Sequence, residues 1–169
     1  MNCRQNWSSR SEQELNIQIN KEYQASLSYH VLSNYFDRDD IGLNKLVEYY
    51  KKASLEEREH ADKLMVYQNM RGGLVKLGNI SPNSIELAFP NDIIDSFKFA
   101  LQLEKNINES LLNLHKVASE ENDPQFSDYL EGEYLKEQVE SISEISKKIS
   151  VLERFNGDQH AIWNFVNNL

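Results

Sequence analysis

At 169 residues with 40% hydrophobic side chains, the chain can bury a sizeable core and is too apolar for disorder, so a single domain spanning 1–169 is expected. A formal net charge of −9 and a pI near 5.0 speak against nucleic acid and anionic membrane surfaces as partners; the same acidity suits cations, although plain solubility also accounts for it. Cys3 is the only cysteine, which excludes an intrachain disulfide and a thiolate metal cluster.

The six glycines and three prolines fall mostly where helices should stop, which argues for long helices and against a strand-rich fold. Ser11 with Glu14 forms a capping-box signature ahead of Leu15, Ile19, Tyr23 and Leu27, predicting a first helix that runs to about Phe36 and the Asp37-Arg38-Asp39-Asp40 turn. Asp39 or Asp40 then serves as cap for a second helix, which Gly72-Gly73 ends. The stretch from Gly73 to Pro90 is too long for a tight hairpin and suits a crossover along a bundle. Asn91 opens a third helix to about Glu121, and Asp123-Pro124 supplies a cap and a first-turn proline for a fourth, which continues to Asn156-Gly157. A short last helix from about Asp158 to Asn168 completes an all-α chain: a four-helix bundle with one long crossover and a short fifth C-terminal helix.

Ligand-type residues repeat across these helices. Glu22 is followed 35 residues later by Glu57, which opens a Glu57-Arg58-Glu59-His60 quartet; Glu104 is followed 34 residues later by Gln138, which opens Gln138-Val139-Glu140-Ser141. A carboxylate and an imidazole three residues apart lie on one helix face and can grip one ion, while a lone Glu from the partner helix supplies the opposite ligand. Glu-x-x-His alone also fits an exposed salt-bridged face. The reading changes because Glu22, Glu57 and Glu104 sit among apolar residues such as Ile19, Leu101 and Leu103, where unpaired carboxylates cost several kcal/mol or stay protonated. Two divalent ions bring four positive charges against three carboxylates and a neutral His60, and Glu56 as a fourth carboxylate would balance them. Glutamate oxygens with one imidazole suit iron or manganese better than zinc or copper. The second half, Gln-x-x-Ser, is poorer in ligands, so the second ion is expected to bind more weakly.

Arg4-Gln5-Asn6, Tyr35 to Asp40, Glu56 to Ala61 with Lys63-Leu64-Met65, Gln68-Asn69, Arg71-Gly72-Gly73, Leu103 to Asn106, Asn122-Asp123-Pro124 and Tyr134-Leu135 with Glu137-Gln138-Val139 resemble eukaryotic ferritin over nearly the whole chain. The metal-site template of paired Glu and Glu-x-x-His residues is that of ferritin-like di-iron bundles. The resemblance implies a ferroxidase-competent, heavy-chain type, with Glu22, Tyr29, Glu57, His60, Glu104 and Gln138 on ferroxidase-centre positions. It also implies a homo-oligomeric shell of twenty-four subunits that oxidises Fe(II) with dioxygen and stores the ferric product, with iron as substrate and site metal and no organic cofactor. In that frame Tyr29 hydrogen-bonds at the centre and Gln138 stands near the second ion, although Tyr29 also fits simple core packing. Glu56, Glu59 and Asp62 would start mineral growth, although solvation of a helix face predicts the same residues. Asp128 and Glu131 would line a pore that concentrates Fe(II), and they equally suit acids opposing a helix dipole.

One feature departs from the family. His160, Asn164 and Asn168 form a polar stripe opposite Ile162, Phe165, Val166 and Leu169, where ferritins typically show a largely apolar four-fold axis. In a monomer the stripe would be an ordinary exposed amphipathic face. No signal-peptide-like run occupies residues 1–20 and no apolar run reaches membrane length, so the cytosol is the expected compartment, with no membrane or nucleic-acid partner; a presequence cleaved ahead of residue 1 is compatible with this. The alternative function is a non-catalytic storage or chaperone-like cage of the same fold.

Overall fold

α1 (Ser9–Phe36) starts earlier than the capping-box pattern predicts, because Ser8 rather than Ser11 is its cap: the Ser8 hydroxyl accepts the Ser11 amide N–H at 2.9 Å. The computed structural model describes residues 3–169, and among them all regular structure is helical. α2 (Asn44–Met70) also departs from expectation. Arg38 engages both Asp40 oxygens at 2.9 and 2.6 Å, and the helix begins later than either predicted aspartate cap, after Leu43, with no side-chain cap. Gly72, at φ +74°, closes α2 where an added Cβ would meet the Arg4 backbone nitrogen at 2.9 Å.

α3 (Asp92–Glu120) is followed by α4 (Pro124–Leu130), whose cap is Asp123 as the sequence predicts: its Oδ1 accepts the Phe126 amide at 3.1 Å. The fourth bundle helix is not continuous. A π-helical turn, Glu131–Leu135, separates α4 from α5 (Lys136–Arg154), and such turns are rare and recur at functional sites. Asn156 and Gly157, at φ +48° and +82°, reverse the chain into α6 (Gln159–Asn167), capped by Asp158.

Side-chain pairs fix the helix directions. Ser33 bonds the Val47 carbonyl, Ser26 the Ser54 carbonyl and Gln68 the Glu12 carbonyl, so α1 and α2 run antiparallel. His115 meets Glu131 and Gln138 meets Glu104, so the fourth helix runs antiparallel to α3. The long connector from Arg71 to Asn91 is held against α1 by a polar ladder at four-residue spacing. Asn16 donates to the Leu74 carbonyl at 2.9 Å and accepts from the Lys76 amide at 2.8 Å; Asn20 accepts from Gly78 at 2.8 Å, Gln24 donates to Ser81 at 3.0 Å, and Ser28 accepts from Asn83 at 2.9 Å. One stripe of α1 thereby satisfies a connector that lacks secondary structure. Between the helices, Tyr29, Phe36, Tyr50 and Phe97 form a buried aromatic layer with ring centroids about 6 Å apart. The layer meets the buried carboxylates through Tyr29, whose hydroxyl donates to Glu104.

Candidate metal centre

Four helices each deliver a buried polar side chain to the middle of the bundle. Glu22 from α1 is fully buried, and Glu57 from α2, Glu104 from α3 and Gln138 from α5 are at most 5% exposed. Ligand atoms of Glu22, Glu57 and His60 all lie within 4.8 Å of one another, which is the separation expected of groups that share one ion. The i,i+3 spacing places His60 Nδ1 3.4 Å from Glu57 Oε2, and His60 Nε2 stands 3.3 Å from Glu137 Oε2.

Each carboxylate has a different complement of partners. Glu22 Oε1 accepts from Gln18 Nε2 at 2.7 Å, while Glu22 Oε2 meets no amide or hydroxyl donor among the described residues and faces the Glu57 carboxyl. Both oxygens of Glu104 are held, Oε1 by the Tyr29 hydroxyl and Oε2 by Gln138 Nε2 at 3.0 Å; the same amide reaches the Glu104 carbonyl at 3.1 Å. Burial, then the charge of Glu57, pushes the Glu22 carboxyl well above the usual carboxylate range. Burial, then the charge of Glu104, does the same to Glu57, and burial raises Glu104. Burial also pushes the Tyr29 phenol well up, with the Glu104 charge next. Three carboxyls that resist ionisation side by side form a site that a cation would relieve.

A cavity of about 300 Å³ opens from this cluster, lined among others by Glu56, Glu137, Glu140, Ser141 and Glu144. Glu56 stands at this mouth, exposed and paired with Lys52 at 3.2 Å, rather than among the three clustered ligands. Ser141 lines the cavity too. Glu59 and Asp62 are exposed on α2; Glu59 pairs with Lys63 at 3.2 Å, and Asp62 accepts from the Tyr23 hydroxyl at 2.8 Å. Asp128 and Glu131 are exposed on either side of the start of the π turn, and Glu131 Oε1 lies 2.6 Å from His115 Nε2. On α6, His160 and Asn164 sit 3.1 Å apart on the exposed side, while Phe165 packs edge-on against Phe97 and Phe155.

Sequence reasoning passed over three participants. Gln18 lies one turn before Glu22, and that i,i+4 spacing was the available signal. Glu137 reads as a solvated neighbour of Gln138 until the fold brings it to His60. Tyr134, within the π turn, donates its hydroxyl to the His60 carbonyl at 3.1 Å, a contact no spacing rule supplies.

Residues 12–155 match the ferritin-like domain family. The chain is 48% identical over 169 residues to a chloroplastic ferritin of Malus baccata var. xiaojinensis, covering 99% of this chain and 67% of the relative. It is 50% identical over 165 residues to chloroplastic ferritin-1 of Brassica napus and 48% identical over 165 to chloroplastic ferritin-4 of Arabidopsis thaliana, covering 96% of this chain and 65% and 63% of those proteins. The chain thus spans about two thirds of the length of these relatives. Their names also overturn the cytosolic expectation, since all are chloroplastic; a lone cysteine excludes an intrachain disulfide but identifies no compartment.

Proposed function

This chain belongs to the ferritin family, an iron-storage family, and on that premise we propose that it oxidises Fe(II) with dioxygen inside each bundle. We place the first Fe(II) between Glu22, Glu57 and His60, and the second between Glu57 and Glu104 with Gln138 beside it. Glu57 then serves both ions. Dioxygen takes one electron from each and, with two protons, leaves as hydrogen peroxide, and the ferric product moves to the cavity side for storage. The observation that carries this reading is Glu22 Oε2: a fully buried carboxylate oxygen without a hydrogen-bond partner, within reach of Glu57 and His60. Such an atom is costly to folding and useful as a ligand.

The same proposal covers the wider roles. Residues 1–169 act as one ferritin-like domain, in keeping with a continuous core that reaches from Trp7 to Val166. A homo-oligomeric shell of twenty-four such chains would collect Fe(II) at Asp128 and Glu131, pass it by Glu56, and begin mineral growth near Glu56, Glu59 and Asp62. The relatives' names support a plastid setting.

The test is anaerobic titration of the apoprotein with Fe(II), counting ions bound per chain before air is admitted. Two per chain are expected, followed by rapid oxidation that Glu57→Ala and His60→Ala both remove. Native binding without rapid oxidation would favour the non-catalytic cage, and no saturable binding would end the metal-centre reading.

A further inference from the structure

Among the described residues, two buried side-chain polar atoms have no hydrogen-bond partner, Gln18 Oε1 and Glu22 Oε2, and they belong to side chains bonded to each other. Gln18 is fully buried on α1, one turn before Glu22. An orphaned buried amide carbonyl is destabilising, a penalty that a leucine or methionine at this site would avoid. As an ion's ligand Glu22 is ionised and can only accept, so it is the N–H of Gln18 that can hold it. Gln18 therefore stays for what its N–H does, and that N–H holds one oxygen of Glu22.

We propose that Gln18 is a positioning residue of the metal centre: by holding Glu22 Oε1 through its amide, it makes Glu22 present the single oxygen Oε2 to the ion shared with Glu57 and His60. The inference rests on the metal-centre reading above. It differs from the hold on Glu104, where Tyr29 and Gln138 occupy both oxygens. Glu22 is fixed in direction yet keeps one oxygen open. Without the amide, the carboxylate can rotate about its last torsion and approach an ion with both oxygens, at the expense of a defined geometry.

The test uses the full-length apoprotein with Co(II) as probe, since its d–d absorbance reports coordination number. Gln18→Met keeps the volume and removes both the donor and the orphaned acceptor. Loss of an outer hydrogen bond to a ligand typically weakens metal binding about 10–100-fold, and that loss is expected together with a changed d–d intensity. The melting temperature of the apo variant does not discriminate, because loss of the orphaned carbonyl is offset by leaving the buried Glu22 Oε1 without its donor. Gln18→Leu, of different shape, should show the same loss and covers the case in which the methionine variant does not fold. A purely structural glutamine predicts native Co(II) affinity and spectrum in both variants, and that result overturns the proposal. Glu57→Ala separates the two layers: if it abolishes Co(II) binding while Gln18→Met leaves it native, only the role of Gln18 falls, whereas native Co(II) binding in Glu57→Ala removes the centre itself.

Discussion

Replacing Glu57 by glutamine should make the apoprotein more stable and the metal-loaded protein less so. Glu57 sits between Glu22 and Glu104, and its ligand oxygen lies within 4.8 Å of that of Glu22. At an effective dielectric of about 20, two full charges 4.8 Å apart repel by about 3 kcal/mol. The ligand atoms lie no farther apart than this, and proton uptake relieves part of the repulsion, so a gain of about 3 kcal/mol is expected in Glu57→Gln. For a chain of this size each kcal/mol moves the melting temperature by about 2–4 °C, which puts the rise at roughly 6–12 °C. Against this, a divalent ion at a hundred times its Kd stabilises the native protein by about 2.7 kcal/mol, and the variant should lose most of that gain. The melting order of the two proteins should therefore reverse between metal-free and Co(II)-saturated buffer at equal protein concentration. Should Glu57→Gln melt below the native protein without metal, the carboxylates are not strained against one another and the electrostatic reasoning fails.

Three further outcomes follow from the same geometry. Glu22, Glu57 and Glu104 all have raised folded-state pKa values, burial being the first cause, so the folded state holds more protons than the unfolded one above the ordinary carboxylate value near 4.5. The contribution of these groups to apoprotein stability is then present at low pH and lost as pH rises through their raised values; thermal melts should show the gap between native and Glu57→Gln narrowing as pH falls toward 4.5, and a constant gap would contradict the assignment. Asp128→Asn with Glu131→Gln should slow iron delivery at low salt while Co(II) binding at the centre stays native, and stopped-flow oxidation traces should converge with the native ones at high salt. Gln138→Glu with Ser141→His should raise the iron retained per chain after oxidation and desalting, while oxidation slows on repeated Fe(II) additions; release as fast as native would show that ligand poverty is not what frees the product.

Much of this was legible because helices impose simple spacing. Asp123-Pro124 and Gly72 mark ends by local stereochemistry, and the 35- and 34-residue offsets place Glu22 with Glu57 and Glu104 with Gln138 on facing helices. The failures are equally local. Ser8 and Ser11 are both competent caps, and the choice between them depends on the burial of Ser11, which only packing decides. Asp40 is a good cap until Arg38 takes it. The π turn at Glu131–Leu135 carries no residue that forbids an α-helix, since Gly132 merely permits it. Its consequence is tertiary: Tyr134 reaches the His60 carbonyl and Gln138 still reaches Glu104. Compartment was not legible, because charge, cysteine count and helix spacing within these residues carry no address.

The distribution of hydrogen bonds gives the asymmetry of the centre a cause beyond its ligand types. The sequence ascribes a weak second ion to Gln138 and Ser141 standing where the first half has Glu57 and His60. In the structure Gln138 does more than ligate poorly, because together with Tyr29 it already satisfies both oxygens of Glu104. An ion that binds Glu104 must displace or share a hydrogen bond to a charged group, worth about 1.5–3 kcal/mol, or roughly a factor of ten to a hundred in affinity. An ion at Glu22 meets no such cost, since Oε2 is already free. On the proposed function, the first Fe(II) therefore binds to a prepared oxygen and the second binds against resistance. When the product leaves, Tyr29 and Gln138 close again on Glu104 and restore a neutralised, hydrogen-bonded carboxylate. On that proposal, release is favoured by the same two side chains that make the second ion weak, and a single arrangement would account for iron acting as a substrate rather than a resident cofactor.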